Sequence, residues 1–127
     1  MNELTKEWVF KAEEDFDSAD LLLHGGEVPL PSPACFHCQQ CAEKYLKAYL
    51  QEHEIEFARK HELIPILELC SSLDFDFETL KRDMESLNRY AVAVRYPGVI
   101  VKAMAAETAY SAAKRVRKFI RKKLKIK

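Results

Sequence analysis

The sequence predicts an all-α protein, an antiparallel up-and-down bundle of four long helices plus one short helix, and three observations carry that expectation. All three glycines (Gly25, Gly26, Gly98) and four of the five prolines (Pro29, Pro31, Pro33, Pro97) fall in two short stretches, so the long segments between them hold no helix breaker. Those segments place apolar residues at spacings of three and four, the period of a helix buried on one face. No stretch alternates apolar and polar residues between turn signals, and no longer period repeats, which removes sheet and solenoid architectures.

The first helix is expected from about Glu3 to His24, with Trp8, Ala12, Phe16, Ala19 and Leu23 on one stripe. Gly25-Gly26 ends it, since glycine takes the left-handed C-cap conformation without penalty. Ser32-Pro33 reads as an N-cap followed by proline at the first helical position, where its missing N–H costs nothing. The second helix, continuing to about His53, is the most apolar. Cys35, Cys38, Cys41, Ala42, Tyr45, Leu46, Ala48 and Tyr49 cover a broad arc, and His37, Gln40, Lys44, Lys47 and Gln51 form its polar stripe. A helix that buries so much of its circumference is central in a bundle or lies in a subunit interface. Gln39 sits at the edge of the apolar arc and needs hydrogen-bond partners if buried.

A short helix follows from about Glu62 to Ser72, with Pro65 tolerated in its first turn. The fourth helix carries Leu80, Met84, Leu87, Ala91 and Val94 and must stop by Tyr96, because Pro97-Gly98 follows. The fifth, from about Ile100 to Lys122, shows a seam of small residues, Ala103, Ala106 and Ala113, that lets two helices approach closely.

Composition fits this plan. The 127 residues include 20 Lys plus Arg against 20 Asp plus Glu, and 48% are hydrophobic, which describes one soluble globular domain over residues 1–127 and excludes disordered, fibrous and membrane-spanning classes. A chain of this size buries about 65% of its unfolded surface, so its four cysteines are not needed as staples. The first seven residues, Met1 to Glu7, contain acids and no apolar run, unlike a secretory or transit signal. A cytoplasmic address with reduced thiols is the expectation.

The neutral total hides a division. Residues 114–127 hold nine Lys or Arg and no acid, at positions 114, 115, 117, 118, 121, 122, 123, 125 and 127. That tail reads as a basic amphipathic end to the fifth helix. It either clamps RNA or an acidic partner, or its cations lie solvated near the acidic body of a second copy; an anionic membrane is a weaker reading, because the apolar stripe is short.

The run Cys35-x-x-Cys38-x-x-Cys41 beside His37 resembles a metal or iron–sulfur ligand set in spacing only. On a helix the three thiols spread over roughly 120° and about 9 Å of rise, so they cannot converge on one ion. They are better read as small buried hydrophobes. No metal or other cofactor is implied.

The segment Cys35-Phe36-His37-Cys38-Gln39-Gln40-Cys41-Ala42-Glu43-Lys44-Tyr45-Leu46-Lys47-Ala48, then Lys60-His61-Glu62-Leu63 and Arg95-Tyr96-Pro97, resembles the HEPN family of small helical bundles in order and spacing. The resemblance spans nearly the whole chain. It implies an up-and-down bundle that usually forms homodimers and often pairs with a small nucleotidyltransferase. The family name proposes nucleotide binding, and many members are ribonucleases or toxins of toxin–antitoxin pairs. Those nucleases carry an Arg followed four to six residues later by His. Here none of Arg59, Arg89 and Arg95 has a histidine at that spacing, and His61 follows Arg59 by only two. The sequence therefore favours a non-catalytic module with no catalytic residues over a ribonuclease toxin.

The positions matching the family motifs, Lys44, Lys47, His61, Arg95 and Tyr96, are the candidate contacts for a nucleotide or RNA phosphate. The guanidinium of Arg95 can fork onto phosphate and the ring of Tyr96 can stack on a base. Each also has a plainer reading. Arg95 suits a helix C-terminus, Tyr96 core packing, Lys44 and Lys47 an outer face with a Glu43–Lys47 pair, and His61 a cap on its own helix. Gln39, Gln40 and Glu43 match family positions and can be structural.

Overall fold

The computed structural model describes every residue except 92, 93 and 95, and Arg95 therefore lies outside the described residues. The helices are α1 (Glu3–His24), α2 (Pro31–Glu52), α3 (Leu63–Leu73), a 3-10 segment (Phe75–Leu80), α4 (Lys81–Asn88) and α5 (Ala103–Lys123). No strand occurs among the described residues. The all-helical bundle is as the periodicity predicts, but only α1, α2 and α5 are long.

α2 is the central helix. It packs against α1, α3, α4 and α5, and Cys35, Cys38, Cys41, Ala42, Tyr45, Leu46, Ala48 and Tyr49 are all buried within one chain. Of the two roles open to so apolar a helix, the central one is filled without a second copy. The same holds for the small-residue seam of α5, since Ala106 and Ala113 are buried within the chain while Ala103 is exposed. Leu46, Leu50, Leu63, Leu67, Met84, Leu87 and Ile120 complete the interior.

Two boundaries and one cap conformation differ from expectation. α2 begins at Pro31 with Leu30 as N-cap and no side-chain cap, so the Ser32 hydroxyl does not start it; Pro31 and Pro33 both sit in the first turn, where no N–H is required. Gly25 ends α1 in a right-handed conformation, φ −91°, rather than a left-handed one. Its value is space: a Cβ there would stand 2.8 Å from the Leu21 carbonyl oxygen. α4 ends at Asn88, well before Pro97, and the Asn88 side chain accepts the Leu63 N–H at 2.8 Å, capping α3.

Four of the nine cations of the basic tail, Arg115, Arg117, Arg121 and Lys123, fold back on the body of their own chain. Arg117 forks onto Glu13 with two bonds of 2.7 Å, and Glu13 also accepts the Tyr45 hydroxyl at 2.7 Å. Arg121 donates to the same hydroxyl at 3.2 Å, Arg115 forks onto Asp83, and Lys123 bridges Asp74 and Asp76. Among the described residues the acidic neighbours of these cations thus come from the same chain.

These pairs set a pH dependence. Burial raises the Glu13 carboxyl, yet the hydrogen bonds from Arg117 and Tyr45 outweigh it and hold the group below the ordinary 4.5. The Lys123 hydrogen bond lowers Asp74 likewise, and the Asn2 backbone N–H lowers Glu52. Carboxyls depressed by folding stabilise fully above their unfolded values and lose that contribution as pH falls through the folded ones. His24 runs the other way. Hydrogen bonds to Asp20 and then Glu107, each 2.6 Å, raise it above 6.5, so its contribution is full below 6.5 and lost as pH rises through the raised value. Thermal melts should show greatest stability between 4.5 and 6.5, a steep fall below that window and a shallow one above it. Equal stability at pH 5.5 and pH 3 would contradict the assignment.

Candidate functional site

Two clusters form on α2, and they divide residues that the sequence alone put on one face. In the first, Asp15 of α1 holds Lys44 at 2.7 Å and the His37 Nδ1 at 2.8 Å. The Lys44 charge is thereby matched at the α1–α2 seam, and Asp15 itself is buried.

The second centres on Glu43, which is only 2% exposed. One carboxylate oxygen accepts from Lys47 Nζ at 3.0 Å, one helical turn on, and the other lies 3.0 Å from His61 Nδ1. Lys47 is 5% exposed and belongs to the interior, not to the solvated stripe that a helical wheel suggests. Its ammonium lies 5.5 Å from the Trp8 ring centroid and 5.6 Å from that of Phe57, and the two rings meet edge to face. Such a lined cleft lets a cation leave water while keeping favourable contacts on several sides.

His61 is held twice. Gln39, fully buried, donates to the His61 carbonyl at 2.8 Å, and Glu43 takes the ring. Gln40 ties the pair together, donating to Gln39 Oε1 at 2.7 Å and to Glu43 Oε1 at 3.4 Å. An ionised carboxylate can only accept, so Nδ1 of His61 is the donor to Glu43, in a side chain that is 64% exposed. Buried Glu43, paired with Lys47, and buried Gln39, tied to Gln40, therefore hold His61 at its ring and at its carbonyl. Tyr96 is 58% exposed and belongs to the turn beyond this cluster.

The other three histidines are engaged elsewhere: His24 between Asp20 and Glu107, His37 on Asp15, and His53 against Tyr49. The four thiols are buried and free, and burial pushes Cys35 up to about 11 and Cys38 and Cys70 to about 12. Protonated thiols of this kind are poor nucleophiles and poor metal ligands. Among the described residues no group of three or more His, Cys, Asp or Glu could hold a metal ion, and no helix is long and apolar enough to cross a membrane.

Comparison with known proteins bears on the same motifs. The HEPN domain family matches residues 5–124, which include every residue of the His61 cluster. A crystal structure of TT1696 from Thermus thermophilus is similar, with 27% identity over 97% of this chain and 99% of that one and a TM-score of 0.76. So is the structure of ST0689, an archaeal HEPN homologue, with 27% identity over 97% and 98% of the two chains and a TM-score of 0.71. No curated protein matches. With a family match over almost its whole length and two structural relatives of the same architecture, the chain belongs to the HEPN domain family.

Proposed function

We propose that the chain is a non-catalytic, cytoplasmic, homodimeric HEPN module that takes the phosphate of a nucleotide or RNA at the His61 edge and partners a nucleotidyltransferase chain. The observation that carries the ligand reading is one exposed imidazole anchored from the interior: buried Glu43, itself paired with Lys47, holds the His61 Nδ1, and buried Gln39 holds the His61 carbonyl. A histidine that merely capped α3 needs no such support, and the α3 cap is in any case supplied by Asn88. In this reading His61 contacts the phosphate directly, with Arg95 and Tyr96 as further contacts. Lys47 acts through Glu43, and Lys44 fixes the α1–α2 seam.

The non-catalytic reading is supported by the missing nuclease motif: no Arg of the chain is followed four to six residues later by His. The same anchored ring is nevertheless the arrangement used to orient a general base, which keeps a ribonuclease as the second reading.

The partner and dimer readings rest on the family resemblance and on one surface. Leu21, Val28, Leu30, Ile100 and Met104 are exposed on residues flanking the end of α1 and the start of α5, two helices joined by the His24–Glu107 bond. That end of the bundle presents the apolar residues an interface uses at its centre. Sedimentation should give twice the 14.7 kDa of one chain, and the double substitution Ile100→Asp, Met104→Asp should return it to 14.7 kDa. Only monomer at micromolar concentration would sink the dimer.

The ligand reading is tested by thermal shift against nucleotides and short RNA at low and physiological salt. A ligand present at about 100 times its dissociation constant stabilises by about 2.7 kcal/mol. His61→Ala and Arg95→Ala should each abolish the shift given by mononucleotides without lowering the melting temperature of the free protein by more than a few degrees. No shift with any nucleotide or RNA would reject the reading, and RNA cleavage dependent on His61 would replace it with the ribonuclease.

A further inference from the structure

The cations of α5 divide by side. Arg117 and Arg121 reach toward α1 and Glu13, while Arg115 and Lys123 reach toward Asp83, Asp74 and Asp76. Between those two stitched edges lie Lys114, Lys118 and Lys122, spaced one helical turn apart, all exposed and without an acidic partner among the described residues. Lys125, also exposed, follows the helix end with φ 62°. On a helix of about 1.5 Å rise, positions four apart stand about 6 Å from each other along the axis, so the three lysines form a ridge of about 12 Å.

We propose that this ridge is a track for the sugar-phosphate backbone of a nucleic-acid strand. Charge complementarity selects that occupant. A nucleic-acid backbone presents evenly spaced anions, and lysines that neutralise them release counterions, which drives binding without base-specific contacts. A protein partner needs buried aromatic or aliphatic anchors at the centre of its interface, and the ridge has none. A membrane surface needs an apolar face free to insert, yet Val116, Ile120 and Leu124 on the opposite side of α5 are buried in the core. The track shares no residue with the His61 cluster, so the two readings fail separately.

The test is binding of a fluorescent oligouridylate of about 20 nucleotides to the full chain across a potassium chloride series. Each lysine engaged with a single strand contributes about 0.7 to the slope of log Kd against log salt, so the four predict a slope of about 3. The triple substitution Lys114→Gln, Lys118→Gln, Lys122→Gln should lower the slope by about 2 and leave the melting temperature unchanged, since none of the three makes a contact that the fold uses. His61→Ala should leave the slope intact. A control that removes the same charge elsewhere, Lys6→Gln, Lys11→Gln, Lys102→Gln, should also leave it intact. The proposal falls if the ridge variant keeps the full slope, if the control loses as much, or if polyglutamate competes with oligouridylate at equal charge concentration.

Discussion

Glu43→Ala is expected to destabilise the protein by about 3–5 kcal/mol, because it strands the Lys47 ammonium, only 5% exposed, between two aromatic rings with no counter-charge. For a domain of this length about 1 kcal/mol moves the melting temperature by roughly 4 °C, so the loss amounts to about 12–20 °C. The double substitution Glu43→Leu, Lys47→Met behaves differently. It replaces a buried ion pair with apolar groups of similar volume, a change that is commonly neutral or stabilising, and the thioether suits the Trp8 and Phe57 faces. Chemical denaturation of the two variants measures the contrast directly. A Glu43→Ala variant within about 1 kcal/mol of the parent would show that Lys47 escapes to solvent. The stable double variant then isolates function: its fold persists while His61 has lost its anchor, so the nucleotide-induced shift should vanish.

Phe77→Ala is the second large effect, also about 3–5 kcal/mol. The ring is fully buried and lies between Tyr49 at 4.5 Å and Phe119 at 5.0 Å, so it clasps the 3-10 segment to both α2 and α5. Its neighbour Phe75, two positions earlier in the same turn, is 78% exposed, and Phe75→Ala should change stability by no more than about 0.5 kcal/mol. Equal effects from the two would mean that the segment does not hold the register described, and denaturant midpoints with unchanged slopes decide it.

The helices were legible in the sequence wherever one periodic stripe met a clear break. α1 ends at His24 as expected, and the buried arc of α2 contains every residue the wheel put there. α4 was not legible, since the pattern Leu80, Met84, Leu87, Ala91, Val94 continues past Asn88, where the helix stops, and the bond that Asn88 makes there reaches Leu63, 25 residues away. The candidate site was half legible. Spacing identified Glu43 and Lys47 as an i,i+4 pair, but whether such a pair is solvated or buried depends on what covers it, here Trp8 and Phe57, which lie 39 residues before and 10 after Lys47. The same reason hid the partners of the basic tail. Glu13 is 104 residues from Arg117, and no local pattern joins them.

That separation also governs the order of assembly. α1 and α2 are neighbours in sequence and need only close the short connection from Gly25 to Leu30, whereas α5 must return across most of the chain to reach Glu13. Closing the larger loop carries the larger entropic cost and gains nothing until the helices meet. The α1–α2 hairpin is therefore expected to form first, with the faces of α1 and α2 that pack against α5 uncovered until α5 lands. During that interval the nascent molecule is sticky, and its yield in the cell depends on how quickly the last helix arrives or how long a chaperone shields its place.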